Sequence, residues 1–260
     1  MNRITALAAT AALAAGTLAL AAPTAQAAPA KARAYQVSAN VNKDVAIAKE
    51  TLIKVKGRVT PKAAGQKVVL QQRVGNKKSW VVTGNAKVKA NGTYKLTDKP
   101  STPGSRQYRV LKPASNGLAK GFSAPVDVQV YRWEKLAYRT PVATNFTSSG
   151  ATIGTEYYGQ SLTTVTPGTA ATTEYTLGRR CTALRATYAL TDQSATGSSG
   201  AITVTADGKQ VAAHSLAVGT IVADEELDLT GVFRLKFDAS TSATPAATAA
   251  VATPEVLCTR

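Results

Sequence analysis

The chain has 260 residues, 44% of them apolar and 6% aromatic, with 31 Lys and Arg against 15 Asp and Glu for a formal net charge of +16. That length supports one large domain or two of about 100–130 residues. One His and two Cys cannot build a three- or four-ligand zinc site without carboxylates. Two Cys are also too few for a disulfide-dense miniprotein, and no second long apolar stretch exists to make a polytopic membrane protein.

Residues 1–27 form the first element, MNRITALAATAALAAGTLALAAPTAQA. A single charge, Arg3, precedes an Ala- and Leu-rich run that ends at Pro23, and Ala25-Gln26-Ala27 has the small-residue form of a cleavage site. This reads as a signal peptide, so the mature chain starts at Ala28, is exported, and keeps no transmembrane anchor. An exported protein can pair its cysteines, and an intracellular nucleic-acid partner is not expected despite the charge.

The charge is unevenly spread. Residues 28–140 hold 23 Lys and Arg against 5 Asp and Glu, whereas residues 141–260 hold 7 against 10. A change of sign between halves indicates two domains, placed at 28–136 and 137–260. The junction falls at Val130-Tyr131-Arg132-Trp133-Glu134-Lys135, where a final strand is expected to give way to a connecting segment.

In the first half, strands are predicted at Tyr35–Val41, Thr51–Val59, Lys67–Val74, Trp80–Lys89, Thr93–Thr97, Arg106–Leu111 and Ala124–Tyr131. Each is rich in β-branched or aromatic residues, and turn signals at Pro61–Gly65, Gly75-Asn76, Asn91-Gly92 and Pro103-Gly104 separate them. Seven short strands at this spacing suggest an antiparallel sandwich, with Asn91-Gly92 as a type I′ hairpin turn. In Ile53-Lys54-Val55-Lys56-Gly57-Arg58-Val59 the period of two sends Ile53, Val55 and Val59 inward and displays Lys54, Lys56 and Arg58. Lys87, Lys89, Lys95 and Arg109 repeat the pattern, so a basic sheet face is expected. Trp80 and Trp133 stand alone in the sequence and read as packing residues, with no aromatics interleaved among the lysines as a single-strand nucleic-acid groove would want.

The stretch VKGRVTPKAAGQKVVLQQRV, then AKVKANGTYKLT and YRVLKP, resembles the immunoglobulin-like domains of secreted actinobacterial proteins over most of residues 35–131. The resemblance implies a spacer or adhesion module without catalytic residues.

In the second half, strands are predicted at Glu174–Leu177, Ala183–Leu190, Ala201–Ala206, Lys209–Ala217, Glu225–Leu229 and Val232–Phe237. Asp207-Gly208 reads as a tight hairpin turn that pairs Val204 with Val211 and Ile202 with Ala213. That register leaves His214 exposed on the opposite face with Thr203 and Thr205. Ser194–Gly200 and Ala239–Pro254 read as low-complexity loops.

The strings EYTLGRRCTALRATYALTDQSATGSSGAITVTADGKQV, ELDLTGVFRLKF and ATPEVLC resemble the NPCBM family, the novel putative carbohydrate-binding modules, over roughly residues 141–260. The resemblance implies a galactose-binding-like jelly roll that binds saccharide. Three positions depart from the family pattern. Gln160 to Val165 lacks the usual His, Thr191-Asp192 has one acid where a pair is usual, and Val251 stands where a Trp is typical.

Cys181 and Cys258 lie 77 residues apart, and a disulfide between them would fix the C-terminal strand against the sheet. Free thiols or a pair between chains are the alternatives. Catalysis has little to build on, because a Ser-His-Asp triad would need His214 and no G-x-S-x-G elbow occurs. The acids Asp224, Glu225 and Glu226 read chiefly as a solvated loop running into a strand, with calcium ligation as the functional alternative. Tyr157 and Tyr158, adjacent in an extended segment, point to opposite faces, so one of them at most can stack on a sugar. Asp192 and Gln193 lie at a strand end, where sandwiches place binding loops.

The sequence therefore reads as a secreted, non-enzymatic all-β protein: a basic immunoglobulin-like sandwich followed by a jelly-roll sandwich. The expected partner is an extracellular polysaccharide or cell-wall polymer, with no cofactor beyond the calcium alternative. A structural or protein-interaction module that has lost its sugar site is the other reading.

Overall fold

The computed structural model describes residues 33–260, and the signal-peptide expectation over residues 1–27 lies outside them. The first half contributes β1 (Gln36–Val41), β2 (Val45–Ile47), β3 (Ile53–Thr60), β4 (Lys67–Val74), β5 (Val81–Lys87), β6 (Thr93–Asp98), β7 (Gly104–Lys112), β8 (Gly121–Phe122) and β9 (Val126–Lys135). A short 3-10 turn, Leu136–Tyr138, follows. The second half contributes β10 (Val142–Thr144), β11 (Phe146–Ile153), β12 (Glu156–Thr164), β13 (Ala171–Thr176), β14 (Cys181–Leu190) and β15 (Ser199–Ala206). It ends with β16 (Lys209–Ala217), β17 (Ile221–Asp228), β18 (Arg234–Thr241) and β19 (Ala249–Cys258). The protein is all-β and built from sandwiched, mostly antiparallel sheets. Among the described residues no helix is long and apolar enough to cross a membrane.

In the first half, β1-β3-β6 packs against β9-β7-β4-β5. The inward sides supply Ile53, Val55, Val59, Leu70, Tyr108 and Val110, all without solvent exposure. Each such side chain is worth about 1.5–3 kcal/mol of burial. Tyr94 stands opposite Gly57 across β3–β6, and its hydroxyl donates to the Ser38 carbonyl of β1. A partly buried polar network borders this core. Asp98 Oδ2 accepts from the Tyr108 hydroxyl at 2.5 Å, Asp98 Oδ1 accepts from Thr83 at 2.6 Å, and buried Arg106 reaches Gln72 and Thr102.

The turn at Asn91-Gly92 is not the expected type I′ hairpin. Only Gly92 has a positive φ, of 84°, and Gly92 N donates to Lys89 O at 2.9 Å. The turn carries the chain from one sheet to the other, because β5 pairs with β4 and β6 pairs with β3.

In the second half, β10-β13-β18-β15-β16 faces a layer that contains β11-β12-β19, β14 and β17. The space between is filled by Tyr175, Leu184, Tyr188, Ile202, Leu235, Phe237 and Val256 among others. Most of Ala239–Pro254, expected as a loop, is strand: β18 runs to Thr241 and β19 starts at Ala249. Its small residues are what the packing selects, since Ala249, Ala250 and Val251 are fully buried.

The junction also differs from expectation. β9 does not end at Tyr131 but continues to Lys135, pairing through Val126–Val130 with β7 and through Arg132–Lys135 with β19. One strand thus pairs into both halves, and a single eleven-stranded sheet runs through them. Cys181 and Cys258 are directly opposed across β14–β19 and form a disulfide, as expected.

Candidate functional site

The outer side of the second-half sheet carries a charged row set by strand register. Lys135 of β9, Glu255 of β19, Arg185 of β14 and Glu226 of β17 are successive cross-strand partners. Such opposed charges each add a few tenths of a kcal/mol. Arg185 donates to Glu255 Oε2 from Nε at 2.8 Å and from Nη2 at 2.5 Å, and its Cζ lies 4.2 Å from the centre of the Trp133 ring. Arg185 is therefore held by a carboxylate at its edge and an indole on its face.

Two depressions adjoin this row and meet at Glu255. The first, about 450 Å³, is lined by Trp133, Glu134, Tyr138 and Arg139 among others. Tyr138 forms its rim with 72% of its surface exposed, and Gln160 Nε2 donates to its hydroxyl. Glu134 accepts from Arg132 at 2.9 Å and Arg139 at 2.8 Å. Partial burial pushes the Glu134 carboxyl up, but these two guanidinium groups outweigh it and hold it below the usual carboxylate range.

The second depression, about 300 Å³, is lined by Tyr158, Arg185, Thr187, Asp224 and Thr253 among others. The backbone around it is unusual. Asp224, Thr253 and Gln160 adopt positive φ values of 49°, 41° and 61°. For a β-branched residue such as Thr253 this is a true outlier. The pairing of β14 also slips twice here, against β19 between Arg185 and Thr187 and against β17 between Ala186 and Tyr188. Bulges and strained backbone together re-aim side chains, and both concentrate at functional sites.

The residues singled out from sequence are dispersed by the fold. Tyr158 lines the second depression, where burial and the neighbouring Glu156 carboxylate raise its hydroxyl above its ordinary pKa. Tyr157 points to the other side, over Gly150, where a side chain would not fit. Asp192 is consumed locally: its two oxygens accept from the backbone N–H groups of Gly154 (2.7 Å) and Thr155 (3.0 Å), clasping the β11–β12 turn. Gln193 is exposed beside it.

Asp224, Glu225 and Glu226 diverge. Asp224 lines the depression, Glu226 lies opposite Arg185, and Glu225 turns toward His214. Among the described residues no group of three or more His, Cys, Asp or Glu side chains converges as metal ligands would.

His214 is not on an exposed face. A bulge between Val204 and Thr205 shifts the hairpin register, so Val204 pairs with Ala212 and Ile202 with His214, replacing the expected Val211 and Ala213 partners. The imidazole, 12% exposed, stacks on Tyr188 at 4.6 Å between ring centres, and its Nε2 lies 3.0 Å from Glu225 Oε2. Among the described residues the Tyr188 hydroxyl is buried without a partner, and burial together with the nearby Glu225 carboxylate raises its pKa.

The basic residues divide between two faces. Lys54, Lys56, Arg58 and Lys95 share the outer side of β1-β3-β6, with Lys56 directly opposite Lys95. Lys87 ends β5 and Lys89 follows it, while Arg109 lies on the outer side of the other sheet. The isolated reading of Trp80 and Trp133 does not hold, for two arginine guanidinium groups lie on the Trp80 indole and one on that of Trp133. Sequence reasoning took Trp133 as a packing residue and passed over Arg185 and Glu255. The available signal was a charge interrupting an otherwise apolar strand, as in Ala183-Leu184-Arg185-Ala186 and Pro254-Glu255-Val256.

No family model matches the chain, and no curated protein matches it.

Proposed function

We propose that this is an extracellular, non-catalytic saccharide-binding protein whose ligand lies in the paired depressions around Arg185 and Glu255. The observation that carries the reading is the Trp133–Arg185–Glu255 constellation flanked by the exposed Tyr138 ring. A sugar presents hydroxyls that donate and accept in one plane and an apolar C–H face across it. A fixed guanidinium–carboxylate pair meets the first, and an exposed tyrosine meets the second. The likeness to carbohydrate-binding modules supports the same chemistry, and the signal-like N-terminus and the disulfide agree with export. Lys54, Lys56, Arg58 and Lys95 would add diffuse attachment to an anionic surface such as a cell wall.

A second reading, a protein-interaction module without a sugar site, draws support from Asp192, whose carboxylate is spent on the β11–β12 turn. Binding of the mature chain to purified cell walls and insoluble polysaccharides across a salt series separates the two. The saccharide reading expects salt-resistant binding that free sugar competes away and that Tyr138→Ala and Glu255→Gln each weaken at least tenfold. Absence of binding to every fraction, or binding indifferent to both substitutions, overturns it.

A further inference from the structure

The outer side of the first-half sheet holds a second constellation. Along β4 the alternation turns Gln71 and Arg73 outward, and along β7 it turns Gln107 and Arg109 outward, with Gln71 opposite Arg109 and Arg73 opposite Gln107. Trp80 enters β5 beside them. Its ring centre lies 4.8 Å from Arg73 Cζ and 4.2 Å from Arg109 Cζ. Arg109 also lies 4.3 Å from the ring of Phe122, which is 40% exposed.

What holds these arginines is neutral. Arg73 donates through Nε (3.1 Å) and Nη2 to Gln107 Oε1, and Arg109 donates through Nε to Gln71 Oε1 at 2.8 Å. Neither makes an ion pair among the described residues. Asp127 accepts from Gln107 Nε2 at 2.8 Å and so orients that amide. Beside Arg73 opens a depression of about 430 Å³, rimmed by Asn76, Lys77, Lys78, Gln107 and Asp127.

A guanidinium paired to an amide keeps its full charge and its remaining N–H groups. Two such groups on one indole repel each other, and burial and Arg73 together lower the pKa of Arg109. A bound anion would remove that repulsion. The stacked, amide-anchored geometry already carries most of the ordering cost, which is what a preformed oxyanion site requires.

We infer that Arg73, Trp80 and Arg109, with Lys77 and Lys78 at the rim, form a discrete binding site for the phosphate or carboxylate groups of an acidic polymer. This site is distinct from the lysine-rich face of β1-β3-β6, and it stands whether or not the Arg185–Glu255 depressions bind sugar.

The test uses the full mature chain carrying Trp133→Phe, so that Trp80 is the sole tryptophan reporter. Polyphosphate and alginate are titrated separately at 50 mM and 200 mM salt, and Trp80 emission is followed. A saturable change with either polymer supports the site, and the polymer that produces it identifies phosphate or carboxylate as the group read.

The decisive comparison keeps the charge constant. Arg73→Lys with Arg109→Lys should weaken binding at least tenfold, because an ammonium neither stacks on indole nor forks to two oxygens. Lys54→Gln, Lys56→Gln and Lys95→Gln together should change it less than threefold at 200 mM salt. Far-UV circular dichroism confirms that each variant is folded. Wild-type affinity in the double lysine variant, loss of binding in the triple variant, or no response to either polymer overturns the proposal.

Discussion

Opening the Cys181–Cys258 bridge should cost the second-half core a large part of its stability. The two residues are 77 positions apart and directly opposed in the β14–β19 pair, so the bridge closes a loop that runs from β14 through β19 and holds the larger part of that core. In the chain-entropy treatment, closing a loop of that length removes about 15 cal/mol/K from the unfolded ensemble, or about 4.5 kcal/mol at 25 °C. Domains of this size are stable by roughly 5–15 kcal/mol, so the loss is a large fraction of the total.

The two tryptophans allow the effect to be localised. Trp133 sits on β9 opposite Leu257, next to the bridge, whereas Trp80 borders the other core. Urea unfolding of Trp80→Phe, oxidised against reduced, therefore follows the seam between β9 and β19. With a slope of about 1.5 kcal/mol per molar urea, the midpoint should fall by about 3 M. Reduction isolates the cross-link, because both side chains remain and both are fully or almost fully buried. Cys181→Ala with Cys258→Ala should fall further, since it also leaves a cavity. A midpoint unchanged to within about 0.5 M on reduction would refute the loop-entropy reasoning.

Three further outcomes are expected. Gly57→Ala should destabilise the first-half core by about 2–3 kcal/mol or more in chemical unfolding, because an added Cβ would lie 1.8 Å from Ser38 O and 2.5 Å from the Tyr94 hydroxyl. Tyr188→Phe should leave stability unchanged or raise it by about 1 kcal/mol, since it deletes a buried hydroxyl without a partner; a loss above about 1 kcal/mol would mean that this hydroxyl is satisfied. Glu134→Gln should cost about 1 kcal/mol at pH 7, read as a lower melting temperature. The folded state depresses the Glu134 carboxyl, so its contribution is complete above the ordinary carboxylate pKa and is lost as pH falls through the depressed value; the gap between variant and wild type should close there, and a gap that persists at pH 2 would contradict the assignment.

Much of this architecture is legible along the chain. Alternation in Ile53–Val59 places the apolar side chains inside and Lys54, Lys56 and Arg58 outside, because the side-chain period of two belongs to the extended backbone itself. Asp207-Gly208 forms its tight turn, with φ values of 47° and 81°, because these residue types tolerate that conformation locally. Two cysteines in one predicted domain have one intramolecular pairing available, and they take it.

What depends on a partner strand is not legible in this way. A single bulge at Val204–Thr205 turns His214 from the solvent side to the Tyr188 side, since one inserted residue reverses every later side chain. The Ala- and Thr-rich tail reads as a loop until the tight packing around Ala249, Ala250 and Val251 selects small residues for a strand. Trp133 meets Arg185, and Trp80 meets Arg73 and Arg109, only because β9 joins β19 and β4 lies between β5 and β7. Local periodicity determined which residues face outward. Register between strands distant in sequence decided which of those residues meet, and both candidate binding surfaces were made at that level.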